Sequence, residues 1–390
     1  VNKDKFNFGR ALNLVMGFFP SLFWIFGPRK ENRIIISSEF NSKFNHNSKH
    51  IFLYFTGDCF KNDFEIKFVV NDKSLREELI KSYGDYFISS FNIRDVLFIL
   101  TAKNWITSSL ETPIGGIFLA FRRNVIHLGH GAPIKKIGLN ENYNNWKKRI
   151  YYGLIKFNFS HFFSTSPEFS ENWARCLGIN QDKVVISPQA RNSVLELPLQ
   201  YNDSLKIRGK YNVLYAPTWR VNSRVEIFPF EDLDLAAMND FLCSKGIVIY
   251  IRLHPNFEDL IQSNFASYSN IIVLSRNDIE DVAIILNQFD LMITDYSSIY
   301  VDFLLTLKPL LFIPYDYDDY DKKVGFAIDY YTNSPGPKPK SQACFLSNME
   351  RLLLDKEYYL LERIEVNNRL NTMQSAHSEK CAQAILSLIC

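Results

Sequence analysis

The sequence predicts an α/β fold in two domains, each built on a parallel sheet, and three observations carry that prediction. Its 390 residues exceed what one ordinary hydrophobic core accommodates. Apolar, β-prone runs alternate with helical stretches through both halves of the chain. The residues with the most chemical capacity stand directly after those runs, where open parallel sheets bind ligands.

In the first half, Arg33–Ser37, His50–Phe55, Glu65–Val70, Val96–Leu100 and Val125–Leu128 read as short strands. In the second, Val213–Ala216, Ile247–Leu253, Ile271–Leu274, Leu291–Thr294 and Leu310–Ile313 do the same, each ending at Pro, Asp or a polar turn. Ser187–Lys210, polar and with two prolines, is the natural linker. The expected division is therefore a segment 1–30, a domain 31–190 and a domain 191–390. Ala11–Pro28 has no charged residue and is rich in Phe, Leu and Trp, but it has only about the minimum length of a membrane span and is broken by Gly17 and Pro20. Lys3, Lys5 and Arg10 precede it, yet no small-residue cleavage site follows. It reads as an interfacial or domain-packing helix pair, with a core helix as the other reading.

Composition narrows the function. With 44 basic and 42 acidic residues the formal net charge is +2, so no field draws the chain to nucleic acid and anion binding must be local. The 33 Phe and 20 Tyr exclude a disordered chain. Six cysteines without a C-x-x-C pair or zinc spacing fit a reducing cytosol, and no protein-bound metal or cofactor is expected.

Four constellations carry chemistry. After the run ending at Leu128 comes His130-Gly131-Ala132-Pro133-Ile134-Lys135-Lys136-Ile137-Gly138. A histidine there suits a general base, Gly131 permits close approach of substrate, and Lys135 screens phosphate; a turn with a surface histidine is the bland alternative. Tyr215-Ala216-Pro217-Thr218-Trp219-Arg220 offers a hydroxyl at Thr218 and a planar fork at Arg220 for a diphosphate, or simply a Pro turn with Trp219 packed beneath it. Arg252-Leu253-His254-Pro255 puts Arg252 and His254 on one side of a strand end as an anion clamp, unless His254 is a buried structural histidine. Asp295-Tyr296-Ser297-Ser298 with Asp302 joins a strand to a helix. Ser297 and Ser298 are N-cap types beside a phosphate-binding helix start, and Asp295 and Asp302 are placed for ribose or polyol hydroxyls. Asp316–Asp321 reads as a solvated loop, and Lys147-Lys148-Arg149 as a solvated face able to meet anionic polymer or headgroups.

Together these residues resemble the CDP-glycerol glycerophosphotransferase family of teichoic-acid and capsule polymerases. The resemblance runs from about Arg33 to Gly336 and also includes Asn47-Ser48-Lys49 and Pro335-Gly336-Pro337. It implies a GT-B fold, two Rossmann-like domains facing across a cleft with the nucleotide held mainly by the second. It further implies that His130 is the base and that His254, Arg220 and the Asp295–Asp302 block handle the donor. The implied reaction moves glycerol phosphate from CDP-glycerol to a hydroxyl of a glycopolymer or lipid-linked acceptor at the cytoplasmic membrane surface, with CMP leaving and magnesium able to accompany the substrate. A CDP-ribitol donor, or a nucleotide sugar used by a GT-B glycosyltransferase, are the alternatives. Two departures stand out: Ser187-Pro188-Gln189-Ala190-Arg191-Asn192 replaces a Gly-Tyr-Pro-Arg-Asn-Asp pattern, and Gly129 stands where an aromatic often precedes the His-Gly pair.

Overall fold

The apolar runs become the strands of two separate, wholly parallel sheets. The computed structural model describes residues 17–18, 21–57, 60, 63–116, 118–129, 131–142, 146–197, 209–218, 220, 225–253, 263–275, 279 and 281–390. Residues 1–193 with 372–390 form one unit, and 194–371 form the other. In the first, β1 (Lys30–Ser37), β2 (Glu65–Val69), β3 (Phe87–Ile88), β4 (Ala102–Thr107), β5 (Asn124–His127), β6 (His161–Ser164) and β7 (Val184–Ile186) lie in the order β3-β2-β1-β4-β5-β6-β7. In the second, β8 (Tyr211–Ala216), β9 (Ile247–Arg252), β10 (Ile271–Leu274), β11 (Leu291–Thr294) and β12 (Leu310–Phe312) lie in the order β10-β9-β8-β11-β12. Each order reverses once, between β1 and β4 and between β8 and β11. Those reversals open the crevices in which doubly wound sheets bind ligands.

Two expected strands are helices. His46–Phe55 buries Asn47, Ser48, Ile51, Phe52 and Phe55, a helical spacing that a six-residue window starting at His50 hides. Ile93–Leu100 is started by Asn92, whose side chain accepts from the Arg94 N–H, with Asp95 in the first turn. The strand that follows it, β4, escapes a hydrophobic scan because Lys103 and Asn104 interrupt it; Asn104 is buried and donates to the Glu31 carbonyl at 2.7 Å.

The chain's last helix corrects the expected domain boundary. His377–Ile389 buries Cys381, Ala382 and Ile385 in the same core as Ile51, Phe52 and Phe55, so residues 372–390 belong to the first unit. The second core joins Val213, Ile249, Ile251, Leu291 and Ile293 to Phe345, Met349 and Leu352 of the helix Gln342–Leu354. Pro335-Gly336-Pro337 closes the edge beyond β12: the Phe312 N–H donates to the Pro337 carbonyl at 3.0 Å. A side chain at Gly336 would put its Cβ 2.2 Å from the Leu310 carbonyl oxygen, so only glycine fits.

At the N-terminus, Trp24 Nε1 donates to the Leu100 carbonyl at 2.9 Å, which fastens this part of the segment to the first unit, while Phe23 and Phe26 stay exposed. Among the described residues no helix is long and apolar enough to cross a membrane.

Candidate active site

In the second unit the ends of β8 and β11 are tied directly together. Thr294 Oγ1 donates to the Ala216 carbonyl at 2.7 Å, and Asp295 Oδ1 accepts from the Thr218 N–H at 2.7 Å. Asp295 Oδ2 accepts from Arg220 at 2.8 Å. Arg220 also reaches Asp316 with two parallel bonds, Nε to Oδ2 at 2.7 Å and NH2 to Oδ1 at 2.8 Å. Tyr296, Tyr315 and Tyr320 surround the guanidinium with ring centroids 4.9, 5.2 and 5.0 Å away. Burial opposes the Arg220 charge, yet Asp316 and Asp295 outweigh it and push its pKa further up.

Two residues expected to meet the donor have partners within the protein. The Arg220 fork, read as a diphosphate ligand, is only 4% exposed, and its donors go to Asp295, Asp316 and the Thr218 carbonyl. Asp295, read as a hydroxyl ligand, is 2% exposed and is spent on Arg220 and the Thr218 and Tyr296 N–H groups. The pair acts as a latch between strand ends. Asp316 completes it, so it is no bystander in a solvated loop; the residues after it form the helix Tyr317–Lys323. A run of Asp and Tyr carries no sequence signal for such a pairing.

What the latch leaves uncommitted is a set of hydroxyls. Thr218 Oγ1 is buried with no hydrogen-bond partner among the described residues, and Ser297 and Ser298 are half-buried. Ser298 stands at the start of the short helix Ile299–Phe303 but does not cap it. Asp302 is buried within that helix, not presented at the surface of the crevice. Arg252 ends β9 half-buried, with NH1 donating to the Leu274 carbonyl at 3.2 Å. His254 and Trp219 lie outside the described residues.

In the first unit His130 also lies outside the described residues, and Gly129 and Gly131 flank it. Gly129 and Gly131 have φ of 76° and 93°, a region that L side chains rarely enter. The Gly129 N–H donates to His127 Nδ1 at 3.0 Å, so Nδ1 carries the lone pair and Nε2 the proton. Burial among Phe159, Phe162 and Trp173 pushes the His127 pKa down to about 4, which keeps this acceptor neutral near neutral pH. Asn47 Nδ2 donates to the Leu128 and Gly129 carbonyls, both at 3.2 Å, and Gln189 Oε1 accepts from the Gly131 N–H at 3.0 Å. Lys135 lies half-buried a few residues on.

The family model for CDP-glycerol:poly(glycerophosphate) glycerophosphotransferase matches residues 21–388. The chain belongs to this family. It is 23% identical over 381 residues to a teichoic acid glycerol-phosphate transferase of Staphylococcus aureus, covering 91% of this chain and 93% of that one. It is 26% identical over 355 residues to a teichoic acid poly(glycerol phosphate) polymerase of Bacillus spizizenii, covering 84% and 86%. The solved structure of the wall teichoic acid polymerase TagF shares the fold, with a TM-score of 0.72 over 98% of this chain and 93% of that chain at 20% identity. The GT-B type of α/β fold expected from the sequence is the one found.

For this glycerophosphotransferase, sequence reading singled out Thr218, Ser297 and Ser298, which follow β8 and β11 on the two sides of the reversal. It missed His127 and Gln189. Both were in view, one at the end of a strand and the other in the loop that departs from the family pattern, but hydrogen bonds from side chain to a distant backbone leave no periodic trace.

Proposed function

We propose that this enzyme transfers glycerol phosphate from CDP-glycerol to a hydroxyl of a cell-surface glycopolymer and releases CMP. The observation that carries the donor site is the Thr218 hydroxyl at the β8–β11 switch point, buried with no partner among the described residues, with Ser297 and Ser298 following β11. Buried hydroxyls without partners are costly unless a ligand supplies the hydrogen bond. With Arg220 spent on carboxylates, neutralisation of the diphosphate falls to Arg252 and His254, and His130 takes the proton of the attacking hydroxyl. Glycerol is favoured over ribitol because the matching family model is that of a CDP-glycerol enzyme and the two relatives matched across most of both chains are glycerol-phosphate enzymes. Turnover with CDP-glycerol, CDP-ribitol and a panel of nucleotide sugars, read as nucleotide released, tests the donor. CDP-glycerol is expected to be used fastest, and a faster nucleotide sugar would overturn the reading.

The acceptor side works at the inner surface of the cell membrane. The helix Trp146–Ile155 and the turn after it expose Trp146, Ile150, Leu154 and Phe157 in a stripe at helical spacing, with Trp146 68% and Phe157 62% exposed. Lys147, Arg149 and Lys156 flank the stripe. An apolar stripe with basic flanks suits an anionic lipid surface, into which the rings insert while the cations meet headgroups. Replacing Trp146 and Ile150 with serine is expected to lower partitioning onto phosphatidylglycerol vesicles by about tenfold or more. Equal sedimentation of both proteins with those vesicles would remove this helix from the account.

A further inference from the structure

The loop that carries His130 is held from three sides, and one of the three holders comes from the segment in which this chain departs from its family's pattern. Asn47 and His127 grip the backbone ahead of His130, through the Leu128 and Gly129 carbonyls and the Gly129 N–H. Among the described residues, Gln189 grips it behind, by accepting from the Gly131 N–H at 3.0 Å. All three side chains are buried, which shields these bonds from competition with water. Gln189 belongs to the turn after β7, and the same turn is fixed to Asn47, whose Oδ1 accepts from the Arg191 N–H at 3.1 Å. The two glycines on either side of residue 130 have the widest backbone freedom of any residue.

We propose that Gln189 is a positioning residue for the transfer reaction: its amide oxygen fixes the Gly131 N–H, the backbone that directly follows His130. The inference rests on the reading of His130 as the base. It concerns a residue that touches neither substrate nor reacting atoms. The amide oxygen is the acceptor of the Gln189 side chain, so its orientation follows from the chemistry of the partner N–H. A general base displaced by about an ångström loses much of its effect, on the order of 10²-fold at the extreme.

The test compares Gln189→Met, which keeps length and loses the acceptor, with Gln189→Glu, which keeps an accepting oxygen, and Gln189→Asn, whose amide falls one methylene short. In the purified full chain, the Met and Asn variants are expected to lose about tenfold or more in kcat. KM for CDP-glycerol should stay within about twofold and the melting temperature should hold. The Glu variant should recover most of kcat. In a His130→Ala background the Met substitution should cost nothing further, because the group it acts through is gone. If the Met variant does not fold, the Asn variant decides in its place. Unchanged kcat in the Met or Asn variant, no recovery with Glu, or the same fractional loss with and without His130 would overturn the proposal. Full activity of His130→Ala alone would instead refute the role of His130, an outcome read separately from any Gln189 variant.

Discussion

His130→Ala is expected to lower kcat by at least about 10²-fold and to leave the affinity for CDP-glycerol unchanged. A general base contributes about 10²- to 10⁴-fold and acts only as the proton moves, so its removal spares ground-state binding. His130 belongs to the first unit, whereas Thr218, Ser297 and Ser298, the proposed donor contacts, belong to the second. Calorimetry with CDP-glycerol measures the retained affinity, and steady-state CMP release measures the loss. In the unmodified enzyme the acidic limb of kcat against pH should report a group titrating near neutrality, and the alanine variant should lack that limb. His127 does not supply it, since burial holds its pKa at about 4. A His130→Ala enzyme that keeps more than about a tenth of kcat would show that another group takes the proton.

Arg220→Ala is expected to destabilise the second unit by about 3–5 kcal/mol, the usual consequence of stranding a buried counter-charge. Arg220 and Asp295 are 4% and 2% exposed, so the Asp295 carboxylate left behind has no water to turn to. It would also lose its place at the ends of β8 and β11, where it holds the Thr218 and Tyr296 N–H groups. Asp316→Asn should cost much less, because that side chain is 25% exposed and its neutral amide still accepts one bond. Denaturant unfolding followed by fluorescence measures both. A stable Arg220→Ala protein with weakened CDP-glycerol binding would return Arg220 to the role of diphosphate ligand that its sequence context suggests.

These two residues show what the sequence makes legible and what it does not. The parallel sheets of the second unit were readable because β8, β9, β10, β11 and β12 are continuous apolar runs, as strands covered on both faces must be. Residues placed after β8 and β11 could then be assigned to a crevice from topology alone. The first sheet was less legible. Its strand β4 is broken by Lys103 and Asn104, and the helices His46–Phe55 and Ile93–Leu100 each contain a short apolar run that imitates a strand. The use to which a charge is put was not legible at all. Arg220 looks like a phosphate fork until Asp316, 96 residues away in the chain, is seen to fill it. The return of Thr372–Cys390 to the first unit was hidden for a similar reason, since an amphipathic helix states which face it buries but not against what.

The central claim is that the bond broken lies between the two phosphates of the donor, with the acceptor hydroxyl attacking the phosphorus that bears glycerol. Incubating the enzyme with CDP-glycerol carrying radioactive phosphorus at that position, together with a glycerol-phosphate-primed acceptor, tests it directly. The label is expected to appear in the lengthened acceptor while unlabelled CMP is released. Label released with the nucleotide as CDP, and an acceptor extended without it, would mean attack at carbon in the manner of a sugar transferase and would contradict the account.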